Sequence, residues 1–80
     1  MAGITRGALG DAVRAQRVER GLSQEELAAR SGLQPSYISG VEGGERNPPL
    51  LALSAIADGL GTPLSQLVAA ADRSPAARSY

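Results

Sequence analysis

The sequence predicts an all-α domain made of five short helices. Three observations carry this prediction: apolar residues recur at helical spacing in separate segments, start and stop signals divide those segments, and no alternating pattern indicates a strand. Eighty residues are enough for one domain. We expect residues 1–7 to be a flexible lead-in, residues 8–71 to fold, and residues 72–80 to be a disordered tail.

The first two helices are predicted from amphipathic spacing and capping signals. Over residues 9–20 the apolar side chains fall on one helical face, and Gly21 follows as a stop. Ser23 can accept a backbone hydrogen bond at the start of the second helix, and Glu26, three residues later, can complete a capping box. We expect this helix to end at about Arg30.

The remaining three helices are shorter or less polar. Pro35 suits the first turn of a third helix over about 35–42, which a pair of glycines ends. The fifth helix covers about 64–71. The fourth helix has an apolar stripe that we expect to face the core, formed by Leu50, Leu53, Ile56, Ala57 and Leu60.

The spacing of the second and third helices indicates how they meet. Only a few residues around Gly32 separate them, which is the separation typical of a helix-turn-helix, here over about residues 23–43.

Composition excludes several classes of function. There is no cysteine or histidine, which removes disulfides, zinc fingers, cysteine nucleophiles and histidine acid–base chemistry. No segment has the character of a signal peptide or a membrane span. Eight basic and eight acidic residues give zero net charge, which by itself counts against nucleic acid as a partner.

Residues 9–68 resemble the XRE, or Cro/repressor-like, helix-turn-helix family. Three segments carry the resemblance in order and at matching spacing: RxxxGLSQEELA, then YISxxExGxxxP, then LxxIAxxL. The resemblance implies a compact five-helix, repressor-like DNA-binding domain. In that family the second helix crosses the DNA backbone and the third lies in the major groove.

The resemblance also implies roles for individual residues. Gln24 is expected to fix the phosphate backbone, and Arg46 and Asn47 are expected to lie along the phosphates. Arg17 and Glu42 match a partly buried ion pair between the first and third helices. The positions that face base edges, with Tyr37 beside them near the backbone, are Gln34, Pro35, Ser36, Ser39 and Gly40.

Two prolines depart from the family pattern. Pro35 stands where many members have a polar reader, which narrows direct readout to Gln34, Ser36 and Ser39. Pro49 replaces the serine or threonine that usually caps the fourth helix, which affects stability.

The segment YISGVExGERN also resembles the small controller proteins of restriction–modification systems. Those usually carry an arginine in the opening turn of the reading helix, the region where this chain has Pro35. Gly40 replaces a longer, often basic side chain. It either lets the helix approach the groove closely or removes one contact.

Some of these residues have plainer interpretations. Arg17 could be a solvated surface residue, and Ser39 could be ordinary helix surface. Glu25 and Glu26 do not form a catalytic pair, because neighbours in a helix point about 100° apart; solvation explains the first and capping the second.

Taken together, these observations predict a cytoplasmic, sequence-specific regulator of transcription with no enzymatic activity, metal or cofactor. Its partner is double-stranded DNA, bound by a homodimer with half-sites about 34–36 Å apart. We expect the dimer to form through Leu64, Leu67 and Val68, and we expect no small-molecule ligand. The alternative is a protein-interaction adaptor that keeps the fold without binding DNA, which zero net charge favours.

Overall fold

The computed structural model describes residues 3–75, which form five helices without any strand, so the predicted all-α fold is confirmed. The helices are α1 (Arg6–Glu19), α2 (Gln24–Ser31), α3 (Pro35–Glu42), α4 (Leu50–Leu60) and α5 (Leu64–Arg73).

Helix boundaries differ from the prediction at both ends of the domain. Helix α1 begins at Arg6 and not at residue 9, because the Thr5 hydroxyl accepts a hydrogen bond from the amide of Ala8 at 3.0 Å and caps the helix there. The predicted lead-in of residues 1–7 is therefore too long. Helix α5 includes the first two residues of the predicted tail, whose residues 76–80 lie outside the described part of the chain.

The core lies between two groups of helices. Helix α1 packs against α3 and α5, while α2 packs against α3 and α4. The largest side chains that are fully buried come from all five helices: Val13, Leu27, Ile38, Val41, Ile56 and Leu67.

One residue of the predicted α4 stripe is misplaced. Leu53, Ile56, Ala57 and Leu60 are buried as expected, but Leu50 is 67% exposed. At 100° per residue Leu50 falls at the margin of the buried face and in its first turn, so it stays at the surface.

The turn between α2 and α3 is fixed by backbone hydrogen bonds. Gly32 adopts the left-handed conformation and caps α2. The amides of Gly32 and Leu33 donate to the carbonyls of Ala29 and Ala28 at 3.4 and 3.0 Å, which closes the end of α2. Leu33 packs against the core, so α3 starts in a defined direction from α2.

Two further features bear on function. Within residues 3–75 no helix is both long and apolar enough to cross a membrane. The same described residues contain no group of three or more carboxylate, histidine or cysteine side chains placed to hold a metal ion.

Candidate nucleic-acid interface

Helix α3 is held to the domain by its inner face. Ile38 and Val41 lie three residues apart on this face, and neither has any exposed surface. Pro35 occupies the first turn and no side chain caps the helix, so core packing fixes this two-turn helix and local propensity contributes little.

A polar network then fixes the C-terminal end of α3. The carboxylate of Glu42 accepts hydrogen bonds from Nε and Nη2 of Arg17 at 2.6 and 3.0 Å. Their side chains are only 13% and 4% exposed, so the ion pair predicted from the family pattern is present and lies largely out of water. The hydrogen bonds that it donates to Glu42 raise the pKa of the Arg17 guanidinium above its ordinary value, so it stays charged.

Helix α2 joins the same network. Gln24 donates from Nε2 to Oε1 of Glu42 at 3.1 Å, and Nη1 of Arg17 donates to the carbonyl of Leu22 at 2.8 Å. Gln24 is half-buried in this position, at the first residue of α2. The phosphate contact predicted for Gln24 stays a prediction. The hydrogen bond to Glu42 already fixes the position of this side chain.

The outer face of α3 is open to solvent. Gln34 precedes the helix and its side chain makes no capping hydrogen bond. Gln34 is exposed before the helix, Pro35, Ser36 and Ser39 are exposed on it, and Asn47 is exposed beyond it. Tyr37 is half-buried and packs against the core. The structure therefore brings most of the predicted reading residues onto one surface.

Gly40 and Arg46 pack against each other, and the phosphate contact predicted for Arg46 stays a prediction. Gly40 is buried, because the side chain of Arg46 crosses it: a methyl group added at Gly40 would sit 2.6 Å from Cγ of Arg46. Gly40 therefore does not present an open backbone to the groove. The guanidinium carbon of Arg46 lies 5.5 Å from the centre of the Tyr37 ring, so this side chain lies along α3.

The predicted dimer residues are only partly available. Leu67 has no exposed surface because it lies at the centre of the buried face of α5, so its assignment to a dimer contact is wrong. Leu64 and Val68 are half-buried against the core. More apolar surface is exposed at the start of α4, where Leu50 and Leu51 are 67% and 85% exposed.

Sequence reasoning missed Gly10 and did not identify the neighbour of Gly40. Gly10 lets α1 approach the end of α3, since a methyl group there would sit 2.4 Å from the carbonyl oxygen of Val41. Gly40 makes room for Arg46. The available signal was a glycine inside each helical pattern, which marks a close approach but does not identify the neighbour.

This arrangement, a short exposed helix fixed after a tight turn on a supporting helix, defines a helix-turn-helix protein. The helix-turn-helix family model matches residues 13–67, which is more than half of the chain. The chain belongs to this family, in its XRE type, a family of DNA-binding transcription regulators.

Three similar proteins place the chain within that family. An uncharacterised helix-turn-helix transcriptional regulator, y4dJ of Sinorhizobium fredii, is 44% identical over 74% of this chain and 77% of its own length. The control protein C.SmaI of Serratia marcescens is 43% identical over 75% of this chain and 71% of its own. The crystal structure of the restriction–modification controller C.AhdI from Aeromonas hydrophila superposes with a TM-score of 0.76 at 40% identity, covering 78% of this chain and 94% of that one.

Proposed function

We propose that this protein is a sequence-specific transcription regulator that binds double-stranded DNA with α3 in the major groove. The observation that carries the proposal is the two-sided construction of α3. Its inner face is anchored by buried apolar residues and by the Glu42 network, while its outer face presents uncommitted polar side chains. A B-DNA major groove admits one helix of this kind.

Contacts to bases come from the start of α3, and contacts to phosphates come from α2 and from the loop after α3. Gln34 and Ser36 begin α3, where first-turn side chains reach base edges; glutamine pairs with adenine in a bidentate manner and serine suits several bases. Gln24 and Asn47 bind phosphates on either side of the groove. Phosphate contacts set the register, and base contacts set the sequence preference.

A homodimer on a repeated site supplies the affinity that one small domain lacks. With half-sites 34–36 Å apart, each α3 lies about 17 Å from the two-fold axis. Leu51 is five residues from Arg46, so the chain holds it within about 18 Å of Arg46, which lies beside α3. The exposed pair Leu50 and Leu51 therefore fits a contact near the axis, with Leu64 and Val68 at its edge.

The similarity to controller proteins supports a role at promoters in the cytoplasm. Binding there acts by occluding the promoter or by contacting polymerase beside it. The opening turn of α3 carries Pro35 in the region where controllers usually carry arginine, so we expect an operator different from theirs.

A mobility-shift assay tests DNA binding directly. The purified chain is mixed at low salt with random genomic duplex fragments, since screening by salt weakens every phosphate contact. We expect retarded complexes that dissociate as salt rises. If no fragment shifts at any protein concentration, the DNA-binding proposal fails and the adaptor function takes its place.

A further inference from the structure

A groove lies between α1 and the C-terminal end of α5, away from the residues of the proposed DNA interface. Its volume is about 390 Å³, and Ala12 and Ala70 contribute small side chains to its lining. The described residues that line it come from α1, from α5 and from Ser74 directly after α5, and none comes from α2, α3 or α4. The groove therefore stays accessible when those three helices are occupied.

One wall of the groove is a row of exposed residues on α1. Asp11, Ala15 and Glu19 stand four residues apart, so they follow one another along the helix surface over about 12 Å. Rows with this spacing form the ridges that pack into grooves on neighbouring helices. Because Ala15 is small, a second helix can approach the middle of this row closely.

The charged side chains of the groove are not paired with each other. Asp11 and Glu19 carry carboxylates on α1, and Arg73 carries a guanidinium on the α5 wall. Within residues 3–75 none of these three side chains makes an ion pair or a hydrogen bond. On the α1 wall the Oε1 atom of Gln16 is buried and also lacks a donor. Acceptors without donors thus lie on one wall, and a cation without a partner lies on the other.

We propose that this groove is a second self-association surface and that its occupant is another copy of this chain. Around a two-fold axis near Ala15, Arg73 of each copy meets the carboxylates of Asp11 and Glu19 of the other. An isologous contact of this kind requires a surface that is complementary to itself. Opposite charges on the two walls of one groove meet that requirement, and zero net charge removes long-range repulsion between copies.

This contact is distinct from the dimer contact proposed at the start of α4. Leu50 and Leu51 lie outside the groove, so one chain can make both contacts at once. Ion pairs on an exposed surface are weak. The groove contact therefore forms at higher protein concentration than the α4 contact and joins dimers into larger assemblies. It does not depend on DNA binding.

Disulfide cross-linking tests the contact, because the chain has no cysteine of its own. Ala15→Cys places a single thiol beside the proposed axis, where two copies can reach the Cα separation below about 7 Å that a disulfide needs. Ala29→Cys, at an exposed alanine on α2, is the matched control. Both variants are oxidised with glutathione disulfide without DNA. Each rate is normalised to the reaction of the same thiol with a small neutral maleimide, which corrects for differences in thiol reactivity.

We expect Ala15→Cys to cross-link faster than Ala29→Cys at equal protein concentration. In the Ala15→Cys chain, Arg73→Glu replaces the reciprocal attractions by repulsions and should slow cross-linking about 2- to 30-fold. Reversing the other wall with Asp11→Arg and Glu19→Arg should slow it similarly. Combining all three reversals should restore the rate, because the two walls then attract each other again.

Two results would overturn the inference. One is cross-linking of Ala15→Cys that is no faster than that of Ala29→Cys. The other is a cross-linking rate that Arg73→Glu leaves unchanged; if that variant also lost stability, Arg73 would pair within its own chain. Neither result bears on DNA binding, which the mobility-shift assay measures separately, and a chain that shifts no DNA would leave this contact standing.

Discussion

Glu42 is the residue at which three helices converge. It belongs to α3, accepts two hydrogen bonds from Arg17 on α1, and accepts a third from Gln24 on α2. A carboxylate this far removed from water is tolerated because those donors replace its hydration. The same contacts fix α1, α2 and α3 relative to each other.

Breaking this pair from either side should therefore be costly. Arg17→Ala and Glu42→Ala each leave one buried charge without its partner, and we expect each to lower the free energy of unfolding by about 3–5 kcal/mol. The double variant should cost less than the sum of the two. Urea unfolding of the four proteins measures the coupling, and strict additivity would mean that the two side chains do not interact in solution.

At the level of elements, α2 is defined by its first turn. Ser23 accepts from the amide of Glu26 at 3.0 Å, and the Glu26 carboxylate accepts from the amide of Ser23 at 2.8 Å. The hydrogen bond from the Ser23 backbone, together with the Ser23 hydroxyl, lowers the pKa of Glu26 below its ordinary value. These two hydrogen bonds confirm the predicted capping box. It was predictable from the sequence because all its partners lie within four residues.

The capping box should give α2 a pH-dependent stability. Because the folded pKa of Glu26 is lowered, its contribution is complete above the ordinary glutamate pKa of about 4.3 and is lost as the pH falls through the folded value. We expect Glu26→Gln to flatten the acid limb of unfolding free energy against pH. Glu25→Gln, its neighbour outside the capping box, should keep the wild-type profile; identical profiles for all three proteins would contradict the role of the box.

Helix α1 sets the position of α3 through close backbone contact. A methyl group at Gly10 would meet the carbonyl oxygens of Val41 and Glu42 at 2.4 and 2.6 Å, and neither can move without shifting α3. We expect Gly10→Ala to destabilise the domain by about 1–3 kcal/mol. Gly7→Ala on the same helix meets only the Thr5 hydroxyl oxygen, at an ordinary van der Waals distance of 3.8 Å, and should stabilise the domain by up to about 1 kcal/mol. Thermal unfolding compares the two, and equal effects would contradict the contact.

For the whole molecule, zero net charge means that the proposed binding to DNA depends on where individual charged side chains lie. Arg46 lies on the surface of α3, while other exposed arginines lie on α1, α2 and α5. Few phosphates are then neutralised, and affinity should fall only moderately with salt. The proposed dimer would compensate by doubling the contacts.

The dimer contact proposed at the start of α4 can be tested by sedimentation velocity. Leu51→Glu places a charge on the most exposed large apolar residue of the described chain, and we expect it to convert the dimer to monomer without unfolding. Val18→Glu, at an apolar position on α1 that is 58% exposed, is the control and should remain dimeric. A Leu51→Glu dimer as tight as wild type would move the contact elsewhere.

The fold was more fully predictable from the sequence than the candidate site was. Helix order, the α2 cap and the turn at Gly32 followed from local signals, because the interacting groups are close in sequence. Periodicity gave the buried faces but not their depth, so Leu50, expected in the core, is exposed, and Leu67, expected at a dimer contact, is buried. The position of Arg46 depends on a turn that folds back onto Gly40, which no local pattern specifies.

The affinity of Gln34→Ala and Ser36→Ala for two DNAs tests whether the first turn of α3 reads base edges, as we propose. A preferred duplex is selected from a random pool with the wild-type chain. Each variant is then compared with wild type on this selected duplex and on random duplex. We predict a loss of about 1–3 kcal/mol on the selected duplex alone, because non-specific binding depends on phosphates. Equal losses on both DNAs would contradict the claim, since these residues would then position the protein and sequence preference would have to arise from DNA shape.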